Sequence, residues 1–237
     1  MRIDKFLSQM GFGTRSEVKV LIKKGFVTCN QERIKSPKFQ IDADTDLIEV
    51  NGEKVQYEPF QYLMMNKPKG VISATEDPVH QTVIDLVKDD SHLDLFPVGR
   101  LDKDTEGLLF ITNDGKFNHE LMSPNKHVTK TYWVEAKKQL EMSDITAFEK
   151  GITLKEGLLK PAQLEILEPP NTALVTIQEG KYHQVKRMFH AINNEVLALK
   201  RIAIGDVQLD ETLKPGECRA LTAEELTTLY PTLNPKN

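Results

Sequence analysis

The sequence has little cysteine and no long apolar run, and each shortage excludes a class of protein. Its two cysteines, Cys29 and Cys218, stand in unrelated contexts, which is neither a disulfide framework nor the spacing of a zinc site. No apolar run approaches the ~20 residues that a membrane helix needs, and Met1–Lys5 lacks the apolar core of a signal peptide. We therefore expect a cytoplasmic protein with no attachment to a membrane.

Positive charge is slightly outnumbered by negative charge overall, but it is concentrated near the start of the chain. The net charge of −4 would by itself argue weakly against nucleic-acid binding. Residues 1–40, however, carry nine Lys and Arg against three Asp and Glu, a balance of +6, whereas the rest carries 22 against 32, a balance of −10. A basic segment of this kind fits a polyanionic partner. From charge alone, a solvated surface explains it equally well.

Two short helices are predicted at the start of the chain. Thr14–Glu17 has the pattern of a capping box that begins the second helix, and Gly25 is suited to end it. Arg15, Lys19 and Lys23 are spaced four apart and form one basic stripe. The apolar positions of both helices follow the spacing of a single buried face: Ile3, Phe6, Leu7 and Met10, then Val18, Leu21 and Ile22.

Short strands complete this first unit. Val27–Cys29 and Ile34 flank a turn at Asn30-Gln31, and Leu47–Val50 precedes a second turn at Asn51-Gly52. We predict a compact domain over residues 1–56, a linker over residues 57–60, a second domain over residues 61–231 and a frayed tail over residues 232–237.

The second unit is predicted to be an α+β domain with a mixed, mainly antiparallel sheet. Its strand-like runs outnumber its helices and are unevenly interspersed with them. A helix is expected where Val185, Met188, Phe189 and Ile192 share one face. The runs that predict strands are Tyr62–Met65, Gly107–Thr112, Thr131–Val134, Ala173–Ile177 and Val196–Ile204.

Two polar stretches hold the candidate chemical groups. Pro97–Leu109 is a charged loop that leads into a buried strand, and it contains Asp102 among cations that would keep its carboxylate ionised, as a nucleophile requires. Composition alone favours a solvated charged turn there. Glu179–Phe189 is a turn followed by a helix that begins polar and basic. Such a helix start binds an anion or a carboxylate, or is simply solvated.

Four segments, in this order along the chain, resemble the motifs of RNA pseudouridine synthases. Leu63–Val71 resembles the N-K-P-x-G motif, and Gly99–Leu108 resembles the catalytic G-R-L-D-x-x-T-x-G-L motif. Lys130–Tyr132 resembles the K-x-Y motif. Glu179–Phe189 resembles E-G-x-x-H-Q-V-[KR]-R-M, the form that distinguishes the RsuA family from its relatives.

The first unit resembles an S4 RNA-binding domain, with one departure. Gln31 stands in a turn where glycine is usual. The matching positions are Arg2, Asp4, Lys5, Arg15, Ser16, Gly25, Val27 and Asn30. The resemblance implies sequence-independent, salt-sensitive phosphate contacts from this unit. The implied RNA-binding residues are Arg2, Lys5, Arg15, Ser16, Lys19, Lys23 and Lys24.

The resemblance also implies roles in the second unit. The family's nucleophile maps to Asp102, and its basic partner maps to Lys186. Tyr132 maps to a tyrosine that packs against the target base, although without the motif it is an ordinary core aromatic. The implied substrate-binding residues are Arg100, Arg187, Gln184 and Lys67, and Lys69 is expected in the same cleft as Lys67.

Pseudouridine formation breaks the N1–C1′ bond of a uridine, rotates the base and forms a C5–C1′ bond. There is no redox change, so we expect no cofactor and no metal. The lack of a Cys/His ligand cluster and of a Gly-rich phosphate loop agrees with this. The resemblance is closest to enzymes of the small ribosomal subunit and implies uridine 516 of 16S rRNA as the target. The expected partner is ribosomal RNA or an assembling ribosomal subunit, bound by a monomer.

Two alternatives stay open at this point. One is a synthase for a uridine of large-subunit (23S) rRNA, whose members share these motifs. The other is a non-catalytic S4-type RNA-binding assembly factor, which would need no aspartate in the Gly99–Leu108 loop.

Overall fold

The computed structural model describes residues 1–87, 93–123 and 126–231, and it divides the chain into two compact units. One contains Met1–Gln61, and the other contains Tyr62–Val87 and the chain from Leu95 onward. Each unit buries a hydrophobic core of its own. The tail expected over residues 232–237 lies outside the described residues.

The first unit packs two helices and a small antiparallel sheet. Helix α1 spans Ile3–Gln9 and helix α2 spans Arg15–Lys24. The capping box forms as predicted, because Thr14 and Glu17 bond reciprocally, and Gly25 ends α2 in the left-handed conformation with φ of 83°. The strands are β1 (Val27–Cys29), β2 (Glu32–Arg33), β3 (Ile48–Val50) and β4 (Glu53–Lys54), in the order β2-β1-β3-β4.

The second unit is built on a nine-stranded sheet. Its strands are β5 (Tyr62–Lys67), β6 (Phe96–Val98), β7 (Glu106–Thr112), β8 (Lys130–Ala136), β11 (Gln163–Ile166), β12 (Thr172–Ile177), β13 (Val196–Ile204), β14 (Val207–Gln208) and β15 (Cys218–Ala220). The main path runs β11-β12-β8-β13-β7-β5-β15, with β14 paired to β13 and β6 paired to β7. Strands β9 (Thr153–Leu154) and β10 (Gly157–Leu158) form a separate hairpin.

Four α-helices accompany this sheet in the described residues. They are α3 (Gly115–Met122), α4 (Met142–Lys150), α5 (Gln184–Ala191) and α6 (Ala223–Leu229), and a 3-10 turn covers Ile84–Leu86. Helix α5 is the one predicted from its apolar face, although Ile192 is its C-terminal cap rather than a member. Every strand pair of the large sheet is antiparallel except β13 with β7. The predicted α+β class and mixed, mainly antiparallel sheet are confirmed.

Gly107 allows the parallel pairing at the centre of the sheet. A Cβ at this position would lie 2.2 Å from the main-chain oxygen of Arg201, and its φ is 105°. No residue with a side chain fits that approach. The glycine of the Gly99–Leu108 segment therefore brings the start of β7 against β13, and with it the loop that carries Asp102.

In the part of the chain that the structure describes, no helix is both long enough and apolar enough to cross a membrane.

Candidate active site

A cleft of about 780 Å³ opens in the second unit. One wall is the loop before β7, Gly99–Thr105, and the other runs from the end of β12 into the start of α5, residues 177–185. Side chains of β8 and β13 form its floor. The cleft brings together four of the residues singled out from the sequence: Arg100, Asp102, Tyr132 and Gln184. Its size suits a single extruded nucleotide.

The Asp102 carboxylate lies between two basic groups. Lys186 Nζ donates to Asp102 Oδ2 at 2.9 Å and to Asp104 Oδ1 at 2.6 Å. His183 Nε2 lies 3.3 Å from Asp102 Oδ1. Burial alone would lower the pKa of Lys186, but its hydrogen bonds to Asp104 and Asp102 outweigh burial and raise that pKa. Lys186 is therefore protonated at neutral pH and places a positive charge beside Asp102.

Asp104 shares the lysine with Asp102 but differs from it in exposure. The hydrogen bond from Lys186 lowers the pKa of the Asp104 carboxyl. Its side chain is 73% exposed, whereas that of Asp102 is 26% exposed. Asp102 is therefore the less exposed carboxylate of this pair. A nucleotide bound in the cleft would contact it away from bulk water.

His183 was not assigned a role from the sequence, although it belongs to the fourth motif. It adopts the left-handed conformation with φ of 47° just before α5. Its ring stacks on that of Tyr182 with a centroid distance of 3.8 Å. Both features aim the imidazole at Asp102, and the fixed histidine of the motif was the signal that could have identified it.

Lys67 supports the loop that carries Asp102 instead of lining the cleft. Its side chain is fully buried, and its Nζ donates to the carbonyl oxygens of Pro68, Asp102 and Thr105 at 3.0, 3.1 and 2.9 Å. Burial lowers the pKa of Lys67 to about 8. Lys67, which the sequence predicted to bind substrate, is thus buried and outside the cleft lining. Lys69 pairs instead with Glu106 at 3.4 Å and is not part of the cleft wall.

The start of α5 is held by a polar network. Gln184 Oε1 accepts from the Lys181 amide at 2.9 Å, and its Nε2 donates to Glu179 Oε1 at 3.1 Å. Gln184 lines the cleft but is 4% exposed, so most of its bonding capacity serves this turn. Arg187, expected to contact substrate, is paired with Glu156 between β9 and β10 and is outside the cleft lining. The short hairpin that supplies Glu156 was not predicted.

The floor of the cleft is basic and aromatic. Tyr132 on β8 is 8% exposed, and the guanidinium carbon of Arg201 on β13 lies 6.0 Å from the centre of its ring. Lys130 lies two residues before Tyr132 and is 7% exposed. Burial, reinforced by the positive charge of Arg201, lowers the pKa of Lys130 to about 8. Arg201 was not singled out from the sequence.

The basic residues of the first unit are mostly exposed. The predicted stripe on α2 forms, since Arg15, Lys19 and Lys23 face solvent, and Lys5, Ser16 and Lys24 are exposed as well. Arg2 differs, because it makes two hydrogen bonds to the buried carboxylate of Asp4, at 3.0 and 2.6 Å. Its guanidinium is thus held at the start of α1.

Two protein families match the two units. Residues 61–191 match the family described as RNA pseudouridylate synthase, and residues 1–47 match the S4 domain. The first match includes all four motifs and the residues whose side chains contact Asp102, which are Lys186, His183 and Lys67.

Relatives match nearly the whole chain. An uncharacterized RNA pseudouridine synthase, YtzG, of Bacillus subtilis is 50% identical, covering 97% of this chain and 98% of the relative. Ribosomal small subunit pseudouridine synthase A of Vibrio cholerae is 42% identical, and that of Escherichia coli is 38% identical, each covering 97% of this chain and 100% of the relative. A crystal structure of a pseudouridylate synthase is 40% identical with a TM-score of 0.68, covering 97% of this chain and 99% of that one. The chain belongs to the RNA pseudouridine synthase family and carries an S4 domain at its N-terminus.

Proposed function

We propose that this protein isomerises uridine 516 of 16S rRNA to pseudouridine, with Asp102 as the nucleophile. The observation that carries the proposal is the Asp102 carboxylate, held by Lys186 and His183 at the edge of a nucleotide-sized cleft. A non-catalytic RNA-binding factor has no use for this arrangement, because pairing and partly burying these charges brings little net stability.

The relatives support the small-subunit target. Those named for the ribosomal small subunit match this chain end to end, at 42% and 38% identity. The substrate is 16S rRNA or an assembling small subunit, and the protein acts as a monomer in the cytoplasm. The competing target is a uridine of 23S rRNA. Pseudouridine mapping in the rRNA of a strain that lacks the gene separates them, since loss of a 23S site with uridine 516 still modified would contradict the assignment.

The reaction begins at the sugar of an extruded uridine. Extrusion from structured RNA costs a few kcal/mol, which binding to the cleft offsets. Asp102 either attacks C1′ or removes the C2′ proton to give a glycal, and both routes need an ionised carboxylate. The N1–C1′ bond breaks and the base rotates. C5 then bonds to C1′ as the Asp102–C1′ bond breaks or, on the glycal route, as the proton returns to C2′. The C5 proton finally leaves as N1 gains one. Since nothing is oxidised or reduced, the chemistry requires no cofactor and no metal.

The other cleft residues bind and orient the nucleotide in this proposal. Arg100 is exposed at the cleft rim and has no partner among the described residues, so its guanidinium is available to a phosphate. Tyr132 packs against the base. Gln184 keeps the segment before α5 in place. Arg187 acts indirectly, by tying α5 to Glu156.

RNA docking is assigned to the first unit. Lys5, Arg15, Ser16, Lys19, Lys23 and Lys24 present exposed donors to phosphate oxygens. Arg2 contributes through the pair that it forms with Asp4. These contacts are independent of sequence, so specificity comes from RNA shape and unpaired bases.

Replacing Asp102 tests the proposal directly. We expect Asp102→Asn to release no tritium from a small-subunit rRNA substrate labelled at C5 of its uridines, while RNA binding persists. The amide is nearly isosteric but is neither a nucleophile nor a base of useful strength. Glu106→Gln is the matched control, because Glu106 begins β7 in the same segment and pairs with Lys69, not Lys186. Tritium release by Asp102→Asn comparable with that of the control would refute the role of Asp102.

A further inference from the structure

Arg201 is a buried cation whose bonding capacity is mostly unused. It is 2% exposed, and its Nε donates to the carbonyl oxygen of Leu108 at 2.8 Å. That is the single hydrogen bond of its guanidinium among the described residues, and its Nη2 is buried with no acceptor there. A guanidinium carries five N–H donors, so four have no partner in the described parts of the chain. Arg201 nevertheless lines the cleft.

Lys130 adds a second uncompensated positive charge beside it. Its Nζ donates to the carbonyl oxygen of Val128 at 3.1 Å, and no described carboxylate pairs with it. The effect of Arg201 on the pKa of Lys130 shows that the two charges repel each other. Leaving buried charges unpaired costs several kcal/mol. An arrangement this costly, at the floor of a substrate cleft, indicates a ligand that brings negative charge there.

A purely structural role does not account for Arg201. The bond to Leu108 links β13 to β7, but it uses one N–H, and those strands already pair through their main chains. Joining the strands would not require a permanent charge in the cleft floor. The guanidinium carbon instead lies 6.0 Å from the ring centre of Tyr132, the residue to which packing against the target base is assigned in the proposed function.

We propose that Arg201, assisted by Lys130, binds the carbonyl oxygens of the target uracil and stabilises the uracil anion that forms when the glycosidic bond breaks. This inference rests on the proposed function. When N1–C1′ breaks, the bonding electron pair stays on N1 and is delocalised onto O2 and O4 of the ring. When C5 attacks C1′, that pair returns to carbon and the charge on the oxygens disappears. Arg201 neither gives nor takes a proton in these steps.

This arrangement favours the transition state because the charge appears on the base only as the bond breaks. Donors fixed in advance at that position stabilise the developing charge without reorganising. The neutral uracil of the bound substrate gains less from them. The two positive charges also keep the detached base in the cleft while it rotates.

The test compares two leaving groups in single-turnover reactions at saturating enzyme. The RNAs carry either uridine or 5-fluorouridine at the target, and nucleosides with a detached or C5-linked base are separated by chromatography after nuclease digestion. Fluorine withdraws electrons, so the fluorinated anion depends less on a protein cation. We expect Arg201→Gln to slow the uridine reaction by about 10²-fold and the 5-fluorouridine reaction by less than tenfold. Lys200→Gln is the matched control, because it removes one charge from the neighbouring position of β13 outside the cleft lining.

Two further variants keep the test decisive if Arg201→Gln does not fold. Arg201→Lys retains a cation and a donor, and Lys130→Gln leaves the bond to Leu108 intact; both should show smaller losses with the same dependence on fluorine. Equal losses on the two substrates, or rates equal to those of Lys200→Gln, would overturn the role of Arg201. If the unchanged protein converts neither RNA, the proposed function fails instead, so the two failures are distinguishable.

Discussion

Two lysines hold the same aspartate by different atoms. Lys186 bonds to the side chain of Asp102, whereas Lys67 bonds to its main-chain oxygen and to those of Pro68 and Thr105. The first places a positive charge against the carboxylate, and the second supports the loop that presents it. Replacing either lysine is therefore expected to affect catalysis, but the two replacements should have different measurable effects.

Lys186→Met should reduce kcat and kcat/KM together, by roughly 10²-fold, because it removes a charge that acts on the reacting carboxylate. Arg187→Met is the comparison, since that guanidinium is already paired with Glu156. We expect it to change stability more than turnover. Steady-state kinetics of tritium release measures both, and a rise in KM with unchanged kcat for Lys186→Met would make Lys186 a plain RNA contact.

Because Lys67 is buried, the free energy of unfolding is expected to depend on pH in the alkaline range. Its pKa is about 8 in the folded protein, below its ordinary value of 10.5, so between these values the unfolded chain binds more protons. Stability contributed by this group therefore rises with pH from about 8 toward 10, at up to about 1.4 kcal/mol per pH unit. Lys130, with a pKa of about 8 for the same reason, acts in the same window.

Replacing either lysine by methionine should therefore flatten that rise. The measurement is the free energy of unfolding in urea at several pH values from 7 to 10, and the slope, not the absolute stability, is diagnostic. Lys200 is only half-buried, so Lys200→Met should keep the pH slope of the unchanged protein. If Lys67→Met has the same pH slope of unfolding free energy as the unchanged protein, burial does not lower the pKa of Lys67.

The burial of individual charged residues was predicted least well from the sequence. Lysine and arginine are usually exposed, so nothing in the local pattern distinguished Lys67 and Arg201 from surface residues. Their burial depends on contacts 35 to 93 residues away along the chain. Asp102 and Lys186 were predicted because motifs identify them, not because of their spacing.

The short hairpins of the first unit show how turn residues determine an element. Asn30-Gln31 and Asn51-Gly52 each close a two-residue turn with positive φ at both positions. Glycine adopts that conformation without strain, whereas Gln31 does so at φ of 68°. The departure from the S4 pattern noted in the sequence is therefore a strained position.

Exchanging the two turn residues tests this. Gly52→Gln should destabilise the first unit by about 1 kcal/mol, because its φ is 83° and the added side chain meets no atom within 4 Å that could compensate. Gln31→Gly should stabilise it slightly, since relief of strain is partly offset by greater freedom of the unfolded chain. Thermal unfolding followed by circular dichroism measures both. Equal effects of the two changes would contradict the strain at Gln31.

Long periodic elements were predicted better than short ones. Val196–Ile204 was identified with its observed bounds, and the start of α2 was recognised from its capping box. In the second unit, several strands of two to four residues, such as β6 and β14, were missed, because so few residues show no periodicity. The hairpin of β9 and β10 was missed for the same reason, and with it the partner of Arg187.

The positive charge of the whole molecule is concentrated in one part of its first unit. Residues 1–40 have a balance of +6, but residues 41–61 carry six Asp and Glu against one Lys, so Met1–Gln61 has a net charge of only +1 and residues 62–237 have a net charge of −5. RNA attraction is therefore expected from the basic stripe of α2 and not from the first unit as a whole. The negative charge of the rest of the chain disfavours indiscriminate RNA binding.

Removing residues 1–58 should therefore leave a folded catalytic unit that binds RNA weakly. The dependence of its affinity on salt should be shallower by about one unit of log–log slope for every phosphate that the truncated protein no longer neutralises. Filter binding across a series of salt concentrations measures the slope, and circular dichroism checks the fold. A truncated protein with the slope of the full chain would exclude the α2 stripe from the interface.

The distance along the chain between Asp102 and Lys186 has a consequence for biosynthesis. They are 84 residues apart, and the parallel pair of β7 and β13 also joins strands that are far apart along the chain. At ribosomal synthesis rates of about 5–20 residues per second, the aspartate waits roughly 4–17 seconds for its lysine to be made. During that time the nascent chain already presents a complete S4 unit. A newly made molecule is thus able to hold RNA before it is able to modify it.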